Sequence, residues 1–513
     1  MEKLVSPERR LLLAAAAAAV MPTRFAAAQG AHAANIAVIG EPGVLDPMTT
    51  LADLVNEIDQ HFFETLYACD PSFHVAPVLA AAMPQISEDG KRYTIPLREN
   101  VPFHDGSVMT ADDVVASLQR WLKLSPRAQA AAPSVEALSA PDPHTVQIAL
   151  KQPYSPLIIL LALFNGASAI MPKAIAAASG PLEKFVGTGP YRLLEHVPDR
   201  YIRVARFDKY ASPPGKPNGF VGARTANVDE LRFIPVGNPT TRADGLISGE
   251  YHFADVLTTE SYQQLAGKPG LQQGTMITPG WVLLAMNTKA GLTSDLRIRQ
   301  AALAAAVPGD MLAAAFGPPS LWTATGSIYP KGTDYFVADT PGYDTHDPAK
   351  ARAMLKAAGY KGQPFRIFTT TQYDYMYKAA QVAGANLQDA GFTVDVQVMD
   401  WATLLQKRND PTSWEAFVTS SPIMPDPTFF SIFNPNYAGW WDTPEKRAAL
   451  ENFVTAPNTE AKLAAWRRMH ELFYSQVPSL LIGYYKLLYG ISTKLQDFTP
   501  AQPPAFWNVS LAA

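Results

Sequence analysis

At 513 residues the chain is too long for one ordinary hydrophobic core, so two or more domains are expected. Its composition, 48% hydrophobic and 17% charged, is that of a soluble globular protein, and a net charge of −4 argues against nucleic-acid binding, which needs clustered positive charge. The single cysteine, Cys69, excludes an intramolecular disulfide, and 44 prolines argue for fixed connections and against long uninterrupted helices.

Residues 1–33 read as a targeting segment. Arg9 and Arg10 precede an alanine-rich apolar run from Leu11 to Met21, and small residues at Ala26, Ala28, Ala31 and Ala33 offer cleavage sites. The run is shorter than the roughly 20 residues a membrane span needs. Export with cleavage near Gln29 or Ala34 is expected, by the general route or, given the paired arginines, the twin-arginine route. Lys3, Arg9, Arg10 and Arg24 leave with the segment against Glu2 and Glu8, so the remainder is more acidic. No later stretch is long and apolar enough to span a membrane: Leu157 to Leu161 is short and follows Pro156.

Elements then follow in order. Ile36 to Ile39 predicts a strand, Val55 to Tyr67 a helix, Lys91 to Leu97 an alternating strand. Thr110 with Asp113 predicts a capping box opening a helix through Leu122, and Thr145 to Leu150 a strand. Gly187 to Tyr191 reads as a rigid turn before paired strands at Tyr191–Glu195 and Tyr201–Ala205. Val228–Ile234 and Phe253–Val256 are strands on either side of a helix from Thr240 to Ser248. Val282 to Asn287 is a short apolar run, a buried strand leading into a helix from Asp295 that Pro308-Gly309 ends. Beyond it come a helix from Asp347 to Gly359, a strand at Phe365–Phe368, a helix from Lys378 to Ala390 and a strand at Thr393–Val398, the spacing of crossover units. A helix from Thr459 to Tyr474 and a buried strand at Leu480–Tyr485 close the series.

Motifs for chemistry are scarce. There is no Gly-x-Ser-x-Gly elbow, phosphate loop or His-Glu-x-x-His pattern. His61 and Glu64, three apart on one predicted helix, fit either a shared metal or a partly buried polar pair, and the pair is favoured. His104-Asp105 fits a hydrogen-bonded turn better than a dyad, because no nucleophile accompanies it. Asp426 is the single acid in a proline-held apolar loop from Ser420 to Phe430. A carboxylate there wants a cationic partner, or caps a helix starting at Pro427, or both. Aromatic residues crowd the second half; most should be core, and a subset at strand ends and loops suits the walls of a ligand cleft.

Four stretches, in this order, resemble one family. They are Val-Pro-Phe-His-Asp-Gly at 101–106 with Thr110 to Leu118; Gly187 to Arg192; Leu284 to Thr288 with Asp295 to Ala301; and His346 to Ala351. They are similar to the signatures of the extracytoplasmic solute-binding proteins of ABC importers, in the dipeptide/oligopeptide/nickel family (solute-binding family 5). The resemblance implies an α/β, two-lobed periplasmic-binding-protein fold (type II, Venus-flytrap) with an extra small subdomain in the first lobe. Residues 34–66, 187–281 and 490–513 would form lobe I, 67–186 the small subdomain, and 282–489 lobe II. It further implies a periplasmic monomer that captures a peptide or peptide-like solute between the lobes and delivers it to a cognate ABC permease in the inner membrane, with no catalysis, cofactor or resident metal. In peptide-binding members an aspartate in an Asp-Pro loop holds the ligand's ammonium group, and Asp426-Pro427 is the matching position. The expected ligand contacts are therefore Asp426 with Trp281, Tyr373, Trp401 and Tyr484. The loop carries fewer polar residues than in peptide binders. A nickel-chelate or haem binder stays open, as does an oligosaccharide binder, whose faces Trp281, Trp401, Trp440 and Trp441 would suit, and an exported hydrolase is a remote alternative.

Overall fold

The computed structural model describes residues 33–178, 180–276 and 280–512. The segment expected to be a targeting signal falls outside them apart from Ala33, which opens the first strand. No described helix is long and apolar enough to cross a membrane.

Two large sheets organise the chain. The first runs, in spatial order, Leu271–Thr275, Leu488–Ser492, Phe253–Leu257, Ala33–Val38, Glu230–Pro235, Tyr201–Arg206 and Tyr191–Val197. Ala33–Val38 lies parallel to both neighbours at its centre, and Leu488–Ser492, from near the end of the chain, is inserted antiparallel. The second runs Trp322–Thr323, Ser479–Tyr485, Gly280–Met286, Ala416–Pro422, Pro364–Thr369 and Thr393–Val398. Here Gly280–Met286 is the inserted antiparallel strand, and Pro364–Thr369 is the parallel centre. Each sheet thus takes one strand from a segment that has just left the other, the expected two-lobed architecture. A four-stranded sheet of Gln85–Ile86, Arg92–Pro96, Thr145–Leu150 and Val135–Asp142, carrying the helix Ala111–Leu124, forms the additional small unit.

The passages between the sheets lie side by side. Met276 N donates to Leu487 O at 2.9 Å, and Gly280 pairs with Tyr485. A Cβ on Gly280 would stand 2.4 Å from the Tyr485 ring, so only glycine lets that ring lie flat against the strand.

The local rules explain most elements. The capping box at Thr110 is formed by both Thr110 and Asp113. Asp347 caps the helix Pro348–Ala358, with Pro348 at its first position and Gly359 left-handed past its end. All seven residues of Gly280–Met286 are buried, as its apolar run requires.

Three expectations need correction. The helix expected over Val55–Tyr67 spans Asp53–Asp59, and Tyr67–Cys69 is a strand. Past Asp59 the carbonyls of His61 and Phe62 accept from Tyr191 N (2.9 Å) and Gly189 N (3.2 Å), so tertiary hydrogen bonds displace the helical ladder. Pro308 ends the helix Leu296–Ala305 only by opening the next, Pro308–Phe316, at its first position. The stretch around Ser420 begins as strand, not loop, since Ala416–Pro422 pairs between Gly280–Met286 and Pro364–Thr369.

His61 is fully buried; its Nδ1–H donates to Ile58 O at 3.2 Å and its Nε2 accepts from Phe506 N at 2.9 Å. Burial lowers its pKa to about 3. The unfolded chain takes up this proton near pH 6.5, whereas the folded chain refuses it until about 3. The stabilising contribution is therefore complete above pH 6.5 and is lost as pH falls toward 3. The stability margin of the wild type over His61→Gln is expected to shrink by about 1.4 kcal/mol per pH unit inside that window. Urea denaturation of both proteins across the window checks it, and a pH-independent margin contradicts it.

Candidate functional site

A cavity of about 310 Å³ opens between the two large sheets. The first-sheet side supplies the helix Asp53–Asp59 with Phe63, Phe220 and Trp507; the second-sheet side supplies Ser420, Pro422, Ile423, Pro425 and Tyr485. Alternation along Ser479–Tyr485 aims Tyr485 at the cavity and Tyr484 away from it. The Tyr485 ring stacks on Phe316 at 4.8 Å, while the Tyr484 hydroxyl donates to Ser327 O at 2.6 Å.

Carboxylates dominate the first-sheet wall. Asp53, Glu57, Asp59, Glu64, Asp70 and Asp255 all line the cavity, against one basic side chain, Arg224. Glu64 is satisfied: it accepts from Arg224 Nη1 (2.9 Å), Thr188 Oγ1 (2.8 Å) and the Tyr210 hydroxyl (2.7 Å). Glu57 and Asp59 are different. They are 2% and 1% exposed, and Glu57 Oε1 and both Asp59 oxygens have no hydrogen-bond partner among the described residues. Burial, then the charge of Asp255, holds Glu57 well above the usual carboxylate range. Burial, then Asp46, does the same to Asp59. Burial also raises Asp53 and lifts Asp255 to about 6. Nearby guanidiniums are committed elsewhere: Arg120 holds Asp46 at 2.5 Å, and Arg242 donates to four backbone carbonyls, those of Val236, Gly237, Asp255 and Val256.

An adjoining cavity shares Asp53, Ser420 and Pro422 with the first and carries donors. Trp281 is 1% exposed and lines it, and its Nε1–H has no partner among the described residues. Arg127 also lines it, donating to Asn165 Oδ1 at 3.3 Å.

The five residues expected from sequence are therefore dispersed. Trp281 reaches the donor side of the cleft. Tyr373 and Trp401 meet edge to face at 5.2 Å, but neither lines these cavities, and Tyr484 turns away from them. Asp426 is fully buried and finds its cationic partner within the protein: Lys462 Nζ donates to Oδ2 at 2.9 Å, while Oδ1 caps the short helix Pro427–Phe429 through Thr428 N at 3.0 Å. Both roles weighed for this aspartate are filled without a ligand. Lys462→Met, which strands the Asp426 carboxylate, is expected to cost about 2–3 kcal/mol in urea denaturation. Asp426→Asn is expected to leave solute affinity unchanged by calorimetry.

His61 and Glu64 share no ligand; each has its own hydrogen-bond set. Among the described residues no three His, Cys, Asp or Glu converge as a metal site. His104 holds the Gly187–Gly189 turn, its Nδ1 accepting from Gly187 N (3.3 Å) and its Nε2–H donating to Gly189 O (3.0 Å).

Sequence reasoning missed the carboxylates of the helix Asp53–Asp59 and the aromatic wall of Phe63, Phe220 and Trp507. One signal was present. No lysine or arginine occurs between Arg24 and Lys91, so the acids of this segment have no basic neighbour along the chain.

Two sheets that exchange strands around an enclosed cavity with unpartnered polar groups define a two-lobed binding protein. A model of the bacterial extracellular solute-binding proteins, family 5 Middle, matches residues 74–441, and the chain belongs to this family. It is thus a solute-binding protein by class, of the family that serves ABC importers. The probable peptide ABC transporter periplasmic-binding protein y4tO of Sinorhizobium fredii is 26% identical over 490 residues, covering 91% of this chain and 92% of that one. The glutathione-binding protein GsiB of Pectobacterium atrosepticum is 26% identical over 516 residues, 96% of each chain. Among solved structures, NikA from Brucella suis in complex with Fe(III)-EDTA has a TM-score of 0.80, covering 94% of this chain and 100% of that one at 18% identity, a likeness of fold.

Proposed function

We propose that the protein closes its lobes on a peptide or peptide-like solute in this cleft and presents it, as a periplasmic monomer, to a cognate permease in the inner membrane. The observation that carries this reading is the enclosed cavity whose two walls come from different sheets, so that occupancy and lobe closure are linked. The relatives named for peptide and glutathione supply the solute class. The donors of the adjoining cavity, Trp281 Nε1–H and Arg127, suit a carbonyl or carboxylate of such a solute. A strongly anionic metal chelate is disfavoured, because it would meet a wall of carboxylates with one paired guanidinium.

Mass spectrometry of the small molecules released on denaturing the purified protein, followed by calorimetry with the pure compound, tests the reading. A peptide or peptide-like compound is expected. A sugar, a haem or a metal chelate in its place would overturn the solute class.

A further inference from the structure

Two buried carboxylates of the helix Asp53–Asp59 are left short of partners by the fold. Glu57 and Asp59 are each more than nine-tenths buried, line the cleft, and keep three oxygens without a partner among the described residues. Leaving such groups unmatched is costly, so they persist only where something else satisfies them. Their protein surroundings do so only in part: Glu57 shares a hydrogen bond with Asp255 and lies in the field of Arg242, but its Oε1 and both Asp59 oxygens stay unmatched among the described residues. Asp46, the charged neighbour of Asp59, is itself tied to Arg120, and Asp255, beside Glu57, adds a further negative charge. Arg224, the one basic side chain on the cavity, is bound to Glu64. Asn56 Oδ1 and Gln60 Oε1, on the same helix and at its end, add two more buried acceptors without partners among the described residues. The wall is thus rich in acceptors and poor in donors, the complement of a group that carries several N–H bonds and a positive charge.

We propose that the solute carries a cationic nitrogen, an ammonium or guanidinium, whose N–H groups are taken by Asp59 and Glu57, with Asp53 and Asp255 adding negative field around it. This rests on the reading of the cleft as the solute site. It differs from that reading in committing to a charge and to one helix of the first-sheet side, since the buried aspartate of the second-sheet side, Asp426, is already held by Lys462. The cation is a peptide amino terminus or a side-chain amine or guanidinium; both present the same chemistry to the wall.

The test is a thermal-shift and calorimetric panel at neutral pH, on wild type, Asp59→Asn and Glu57→Gln. The probes are Ala-Ala, Lys-Lys, agmatine and spermidine, the N-acetylated forms of each (for agmatine also the form with its guanidinium blocked by cyclohexanedione), and the low-molecular-weight fraction of a cell extract before and after acetylation and guanidinium blocking. At least one amine is expected to raise Tm, its acetylated form to bind at least tenfold more weakly, and Asp59→Asn to weaken the same amine at least tenfold. Acetylating the Lys-Lys terminus alone, against both side chains alone, tells which nitrogen is read. The amide variants are isosteric, and the wild-type contrast between amine and acetylated amine stands even if a variant fails to fold. Stabilisation by the extract that survives both acetylation of amines and blocking of guanidinium groups with cyclohexanedione, stabilisation by Mg²⁺, Ca²⁺ or Ni²⁺ in place of any amine, or an Asp59→Asn affinity equal to wild type overturns the cationic assignment and leaves the solute-binding reading standing. No binding of the panel or of the extract overturns both.

Discussion

Glu64→Ala is expected to destabilise the protein by about 4 kcal/mol, because breaking a buried ion pair leaves an uncompensated charge. Glu64 is 2% exposed and Arg224 is 6% exposed, and the carboxylate also anchors Thr188 and Tyr210. Removing it strands the guanidinium beside the cleft, where Arg224 lies 4.6 Å over the Trp507 ring. The expected effect is a large drop in the urea midpoint with cooperativity retained. Replacing both partners, as Glu64→Gln with Arg224→Met, should recover part of the loss, since no unpaired charge then remains. A single substitution costing under about 1 kcal/mol would show that the pair is solvated in solution.

Gly187→Ala is expected to cost about 3 kcal/mol or more, enough to lower soluble yield. A Cβ there would stand 2.0 Å from Phe62 O and 2.8 Å from Phe63 Cδ1. The first of these is backbone, so no rotamer relieves the clash. The turn cannot back away either, because His104 holds it from the other side through Gly187 N and Gly189 O. Two stretches resembling family signatures, one at 101–106 and one at 187–192, thus form a single clamp that fixes the chain just after the helix Asp53–Asp59. Denaturation midpoints of Gly187→Ala and of Gly106→Ala, whose Cβ would meet nothing within 4 Å though its φ is +90°, separate steric clash from backbone strain. The clash at Gly187 should be the costlier.

How much of this could be read from sequence depends on which forces set each element. Where periodicity and caps act locally, the sequence carried the answer: Thr145–Leu150, the box at Thr110 and Asp113, and Pro348–Ala358 between Asp347 and Gly359. Where tertiary partners override local preference it did not. The run from Val55 to Tyr67 keeps helical periodicity, yet Gly189 and Tyr191 capture its carbonyls and end the helix at Asp59. The strand Ala416–Pro422 was hidden because, buried centrally, it shows no alternation, and its Ser420-Ser421-Pro422 end looks like a loop.

The site was less legible than the fold for a related reason. Asp426 stood out because its neighbours in sequence are apolar, but its partner Lys462 is 36 residues away and invisible to local reading. Asp59 and Glu57 carry no local sign of burial, and only in the fold do they come to line the cleft with Asp255, Phe220 and Trp507. Aromatic crowding in the second half includes a few wall residues, Tyr485, Trp507 and Trp281, among a majority of core ones. Much of it is core: Trp414, Trp441 and Trp466 are at most 2% exposed, while Phe63, Phe220 and Trp507 of the first-sheet side face the solute space.

The pH behaviour of the empty cleft follows from the same groups. Glu57, Asp59, Asp53 and Asp255 have pKa values raised in the folded state, Asp255 to about 6. Their stabilising contribution is complete below the ordinary carboxylate range and is lost as pH rises through the folded values. A solute cation would reverse that loss by matching the ionised forms.

The most direct measurement is a crystal structure of the protein carrying the solute it retains through purification. Density between the helix Asp53–Asp59 and the segment Ser420–Pro425, with a nitrogen within hydrogen-bond distance of Asp59, is the predicted result. Solute density away from this cleft, or in it with a neutral or anionic group against Asp59 and Glu57, would contradict the account.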